Sequence, residues 1–138
     1  MKKILCAVDD SEHSKKAAHI AGAFASAMGA SLTLLAVNER IGGYTRKDAA
    51  AMLWAPAALE RLLADAAQEA KSAGAKEVAT IVTESYDVAR TISHTAEAQG
   101  FDHIVIGSGG KGAVMRLVLG SVSGDVANRA PCSVTIAR

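Results

Sequence analysis

Gly107, Gly109, Gly110 and Gly112 crowd into one short stretch, "GSGGKG", and Gly120-Ser121-Val122-Ser123 follows closely. A backbone this free of side chains lets successive N–H groups converge, and such a concavity binds anions, phosphate above all. A helix beginning at Ser121 would add unpaired N–H groups and the positive end of its dipole. The hydroxyls of Ser121 and Ser123 add donors at the same place. The expectation is a phosphate site made of bare amides around Gly110 and Gly120. Asp9, at the end of an early apolar run, is a second candidate: its carboxylate can accept hydrogen bonds from a ribose. Asp10 reads as a helix-start acid, although carboxylate plus phosphate oxygens is also the donor set Mg2+ prefers. Lys111 and Arg116 lie within the loop and could neutralise phosphate charge, although charges of a loop are usually solvated.

Other chemistries fit less well. Gly107-x-Gly109-x-x-Gly112 matches the dinucleotide fingerprint by letter, but the acid at the expected distance, Asp125, falls in a helix, and the motif sits in the last crossover instead of the first. The Walker loop fails because Gly112 is followed by Ala113, with no Lys-Ser/Thr pair. The Asp-Ser of the ATP pyrophosphatase loop is also missing after "SGGKG". His13, His19, His94 and His103 show no ligand spacing; His13 and His19 lie six apart and face different directions on a helix. No Ser-His-Asp or Cys-His set is apparent.

The elements that must position these residues follow from hydrophobic periodicity. Lys2–Val8 is an apolar run of strand formers. Ser11 is a natural N-cap, and Ala17, Ile20, Ala21, Phe24 and Met28 then recur at helical spacing until Gly29. Ser31–Val37 is the next strand. Residues 38–55 follow no clean period, break at Gly42-Gly43, and are expected to form a mobile excursion, with Met52 and Trp54 either packing on a neighbour or covering a crevice. Pro56 opens a helix that ends at Gly74. Lys76–Val82 is a third strand, Asp87 to Gly100 a third helix, Asp102–Gly107 a fourth strand, Ser121 to Arg129 a fourth helix, and Cys132–Ala137 a fifth strand. Strands apolar on both faces, alternating with helices, call for an open parallel sheet covered on both sides. Ligands of such sheets sit beyond the carboxyl ends of the strands, where the strand order reverses. If the order is 3-2-1-4-5, Asp9 and the glycine loop face each other there.

The chain has 138 residues and a formal net charge of +1. That is one domain, residues 1–138, with core enough to need no disulfide or metal staple. Interspersed charge gives no basic face for nucleic acid, and no apolar run reaches the length of a membrane span. The N-terminus turns acidic too soon for a signal peptide, so a cytoplasmic protein is expected. Cys6 and Cys132 would lie two strands apart, about 9–10 Å, beyond the roughly 7 Å limit for a disulfide; both read as reduced thiols.

Gly107-x2-Gly110-x9-Gly120-Ser121, the opening "ILCAVDDSEHSKKAAHIA", "LTLLAVNE" and the closing "FDHIVIGSGG…LGSVSGDVANRAPCSVTIA" resemble the universal stress protein family, specifically its ATP-binding branch. The resemblance covers the whole chain. It implies a single open, mainly parallel five-stranded sheet, Rossmann-like, in the order 3-2-1-4-5, with ATP and Mg2+ in the crevice. It also implies a homodimer made through the C-terminal strand, whose apolar edge "VTIA" would otherwise be unprotected. By position, Asp9 matches the family's acid that contacts the nucleoside, and Val37 the residue whose backbone meets adenine. Gly107, Gly110, Gly120, Ser121, Val122 and Ser123 match its phosphate-binding positions. The chain departs from the family at Gly109, where a larger residue is common, at Gly112-Ala113, at Ser133 and at Ser85.

The function so implied is a nucleotide-dependent regulator of the stress response that acts through a protein partner. The alternative is a slow ATPase or nucleotide-transferring enzyme, which would need a base beside the loop, and none is obvious. A response-regulator receiver domain, suggested by "AVDD", is excluded: the third strand ends in "VTES", without an aspartate to phosphorylate, and the fifth in "TIAR", without a lysine.

Overall fold

In the computed structural model, which describes residues 1–43, 49–109 and 119–138, β1 (Lys3–Ala7) runs through the middle of the sheet. It pairs in parallel with β2 (Ser31–Ile41) from Lys3↔Ser31 to Ala7↔Leu35, and on its other side with β5 (His103–Gly107) from Ile4↔His103 to Ala7↔Ile106. Outside β2 lies β4 (Val78–Ser85), and outside β5 lies β6 (Ser133–Ala137), both parallel. The five parallel strands thus stand in the order expected from the sequence.

A sixth strand was not expected. β3 (Ala51–Met52) runs antiparallel to the end of β2, with Arg40↔Met52 and Ile41↔Ala51 in register. The stretch 38–55 is therefore not simply an excursion. β2 continues four residues past Val37, and part of the segment returns to pair with it. The polar residues Asn38, Glu39 and Arg40 hide this continuation from hydrophobic periodicity. Residues 44–48 lie outside the described part.

Alternation along the strands divides the core in two. Ile4, Cys6, Leu32, Leu34 and Val105 face α1 (Glu12–Met28) and α2 (Pro56–Ser72). Leu5, Leu35, Val37, Ile104 and Ile106 face α3 (Val88–Ala98) and α4 (Ser121–Arg129). The seam between α1 and α2 is lined by small residues, and a Cβ on Gly22 would overlap the backbone of Ala70.

The helix ends follow the sequence closely. Ser11 Oγ accepts from the Ser14 N–H at 3.2 Å, Gly29 takes the left-handed conformation (φ 62°), Pro56 occupies the first turn of α2, and Asp87 accepts from the Arg90 N–H at 3.0 Å. Both cysteines are free; Cys6 lies in β1 and Cys132 just before β6, with β5 between those two strands. Cys6 is fully buried, which pushes its thiol up to about 12. Among the described residues, no helix is long and apolar enough to cross a membrane.

Candidate functional site

β1 hands the chain to α1 on one face of the sheet, whereas β5 leads on to α4 on the other. Where neighbouring strands send their chains in opposite directions, a crevice opens beyond their ends. A cleft of about 320 Å³ lies there, a volume in the range of small-ligand sites. Asp9, Val37, Gly107, Gly120, Ser121, Val122 and Ser123 all line it. Gly110 falls outside the described residues, as do Lys111, Gly112, Ala113 and Arg116.

Asp9 is fixed by the turn into α1. Its N–H donates to Ser14 Oγ at 2.8 Å, and its Oδ1 accepts from the Ser11 N–H at 2.8 Å. Oδ2 has no partner among the described residues and is the oxygen available to a ligand.

Val37 owes its place to the length of β2. The last rung between β1 and β2 is the Val8 N–H donating to Leu35 O at 2.9 Å. Farther along β2, on the same side, the Leu53 N–H donates to Glu39 O at 2.9 Å. Backbone groups of a strand point alternately to its two sides, so Val37 turns its N–H and C=O to the side of Leu35 and Glu39, between those two rungs. The opening so framed is about 13 Å long at the usual rise of a strand. Its outer end is closed by Leu53 and Trp54, which line the cleft together with Glu39. Asn38 holds Trp54 in place: its Nδ2 donates to Trp54 O, and its Oδ1 accepts from the Trp54 N–H, each at 2.9 Å. Sequence reasoning left Trp54 undecided and passed over Glu39 and Leu53, because a return strand of two residues leaves no periodic signal.

At the opposite end, the two feet of the glycine loop are pinned together. Ser108 O accepts from the Gly120 N–H at 2.8 Å and from Ser123 Oγ at 2.9 Å. Two expectations change as a result. The amide of Gly120 is not bare, because it is spent on Ser108. The hydroxyl of buried Ser123 points inward, to Ser108 O and Gly120 O, so its one proton is not offered to a ligand. The N-cap of α4 is Gly120, and Ser121 is the first helical residue. The first helical bond runs from the Gly124 N–H to Gly120 O at 2.9 Å, so the N–H groups without a helical acceptor at this end are those of Ser121, Val122 and Ser123, the kind of groups that suit an anion.

Gly107 and Gly120 are glycines for reasons of space. A Cβ on Gly107 would lie 2.7 Å from the carbonyl carbon of His13, and one on Gly120 would lie 2.7 Å from Ser108 O. Gly109 takes a positive φ of 65°. Among the described residues, no three His, Cys, Asp or Glu side chains gather to hold a metal.

The comparisons with known proteins agree on one family. The model of the universal stress protein family matches residues 1–138. A universal stress protein of Thermus aquaticus is 34% identical over 144 residues, spanning 99% of this chain and 98% of that protein. A universal stress protein crystallised in complex with cAMP superposes with a TM-score of 0.78 at 24% identity, over 99% of this chain and 97% of the other. The Archaeoglobus fulgidus universal stress protein in complex with dAMP superposes with a TM-score of 0.72 at 22% identity, over 100% and 98%. At those identities the two solved structures speak for the fold, and the family model and the Thermus relative for descent. The chain is a member of the universal stress protein family.

Proposed function

We propose that the cleft binds an adenine nucleotide, ATP with Mg2+, and that occupancy makes the protein a nucleotide-dependent regulator acting through a protein partner. The observation that carries the reading is the order of groups along one cleft. Strand backbone at Val37, unpaired on the cleft side among the described residues, suits the edge of a base. The Asp9 carboxylate suits the ribose. The first-turn amides of α4 suit phosphates. Two relatives of the same fold are described in complex with adenine nucleotides, cAMP and dAMP. Mg2+ would come in on the phosphate oxygens, its usual partners. A bound nucleotide would bias the loop and its surroundings only by its differential affinity for the two states.

We further propose a homodimer through β6, which among the described residues pairs with β5 alone and leaves its other side open. Sedimentation velocity tests it, and a monomer at micromolar concentration refutes it.

The test of the nucleotide reading is to denature freshly purified protein, filter it, and identify any released nucleotide, then to titrate ATP and AMP calorimetrically. Asp9→Asn keeps the Oδ1 acceptor of the turn and removes the free acceptor. It should weaken binding by about tenfold or more, as loss of a hydrogen bond to a charged group does. If the wild type binds no adenine nucleotide, the reading fails.

A further inference from the structure

We propose that Trp54 is the aromatic wall against which the base lies, and that Asn38 is the positioning residue that sets it there. The inference rests on the nucleotide reading of the cleft and assigns its base end.

Asn38 is 5% exposed. A buried carboxamide is costly unless both its donor and its acceptor are satisfied. This one uses both on a single residue sixteen positions later, and both bonds go to the backbone of Trp54. The Trp54 side chain is thus left uncommitted by the clasp, while its backbone is locked to the register of β2. One residue earlier, the Leu53–Glu39 rung fixes the same segment a second time. The segment is pinned at two consecutive residues, and both line the cleft. Leu53 remains 47% exposed, so this end of the site keeps an apolar rim open to solvent.

Val37 lies between the rungs and offers its backbone to the edge of a flat ring. Ala7, Leu35 and Ile106 give the cleft an apolar lining, and Leu53 and Trp54 add to it beyond the last β1–β2 rung. An aromatic face in that position suits a purine, since every base has a π-face to stack. The phosphates, bound at α4, would not feel it. That separation distinguishes a base wall from a mere anchor for the loop.

The experiment is calorimetric titration of the full-length protein with AMP, ATP and the base-free ligand tripolyphosphate, for the wild type, Trp54→Ala, Trp54→Phe and Asn38→Ala. Thermal melts of each protein run in parallel, and Trp54→Leu replaces the alanine variant if that one does not fold. Trp54→Ala should weaken AMP and ATP by on the order of tenfold or more and leave tripolyphosphate unchanged. Trp54→Phe should retain most of the affinity. Asn38→Ala should weaken the nucleotides in the same selective way and red-shift the emission of Trp54, the chain's one tryptophan. AMP should also change that emission in the wild type. If wild type and Trp54→Ala (or Trp54→Leu) bind AMP equally, or all ligands weaken together, the wall is refuted. If Asn38→Ala leaves emission and AMP affinity unaltered, the positioning role is refuted. If the wild type takes tripolyphosphate but not AMP, or neither, the nucleotide reading itself has failed, a result separate from the other two.

Discussion

The hydroxyl of Ser123 donates to the carbonyl of Ser108 at 2.9 Å, tying the first turn of α4 to the chain leaving β5. Ser108 O also holds the Gly120 N–H, so removing the hydroxyl leaves that carbonyl with a partner. Ser123→Ala should therefore cost only about 1 kcal/mol of stability, the usual net value of one hydrogen bond, read from urea unfolding. Its N–H is retained, so phosphate binding should fall by less than the loss expected for Asp9→Asn. A larger loss would mean that the hydroxyl turns outward to the ligand.

A Cβ on Gly22, inside α1, would meet the backbone of Ala70, and one on Gly107 would meet the backbone of His13 at the start of α1. Gly22→Ala should force α1 and α2 apart, and Gly107→Ala should force β5 from the start of α1; each should cost about 1–3 kcal/mol, the range of overpacked cores. Only Gly107 lines the cleft. Nucleotide affinity measured well below the melting temperature should drop for Gly107→Ala and stay level for Gly22→Ala.

Asp102 ties the N-terminus to β5. Its Oδ2 accepts from the Lys2 N–H at 2.8 Å and its Oδ1 from the Lys3 N–H at 3.2 Å. These backbone bonds hold its carboxyl below the ordinary aspartate value. A group depressed in the folded state stabilises fully above its unfolded pKa and loses that contribution as pH falls through its folded pKa. Wild type should exceed Asp102→Asn in stability at pH 7, and the gap should close as pH drops below about 4. Unfolding curves at a series of pH values read the gap directly; a gap that persists at pH 2 would contradict the assignment.

The two thiols should separate cleanly by reactivity. Cys6 is inaccessible and burial raises its thiol to about 12, whereas Cys132 is partly exposed. Burial, and then the charge of Asp102, raise the Cys132 thiol as well, so its labelling should be slow and should speed up with pH. Mass spectrometry should find one label per native chain and two in denaturant. Native labelling at Cys6 would show that the sheet opens locally at β1.

The order of the parallel strands, and the ends of most helices, could be read from the sequence because they rest on local chemistry. Ser11, Gly29, Pro56 and Asp87 each satisfy or end a helix with their own atoms. The seven described candidate residues meet in one cleft for a comparable reason: strand ends and one helix start are local features, and the topology brings them together. What was not legible depends on partners distant in the chain. Nothing in "NER" announces that β2 continues, because the pairing that extends it comes from Ala51–Met52. The clasp between Asn38 and Trp54 crosses a stretch without period. Gly107 looked like a ligand glycine, whereas its close neighbour is His13. Gly120 and Ser123 looked like donors to a ligand, and the carbonyl of Ser108, in the preceding turn, takes both.

Part of the cleft comes from residues up to Trp54 and part from Ile106 to Ser123, brought together by the rungs from β1 to β5. A chain still emerging from the ribosome therefore has half a cleft at most until β5 and α4 have been made, and capture has to wait until then. From then on, any molecule that fills the gap rewards the closed chain over the open one, in proportion to the logarithm of its concentration.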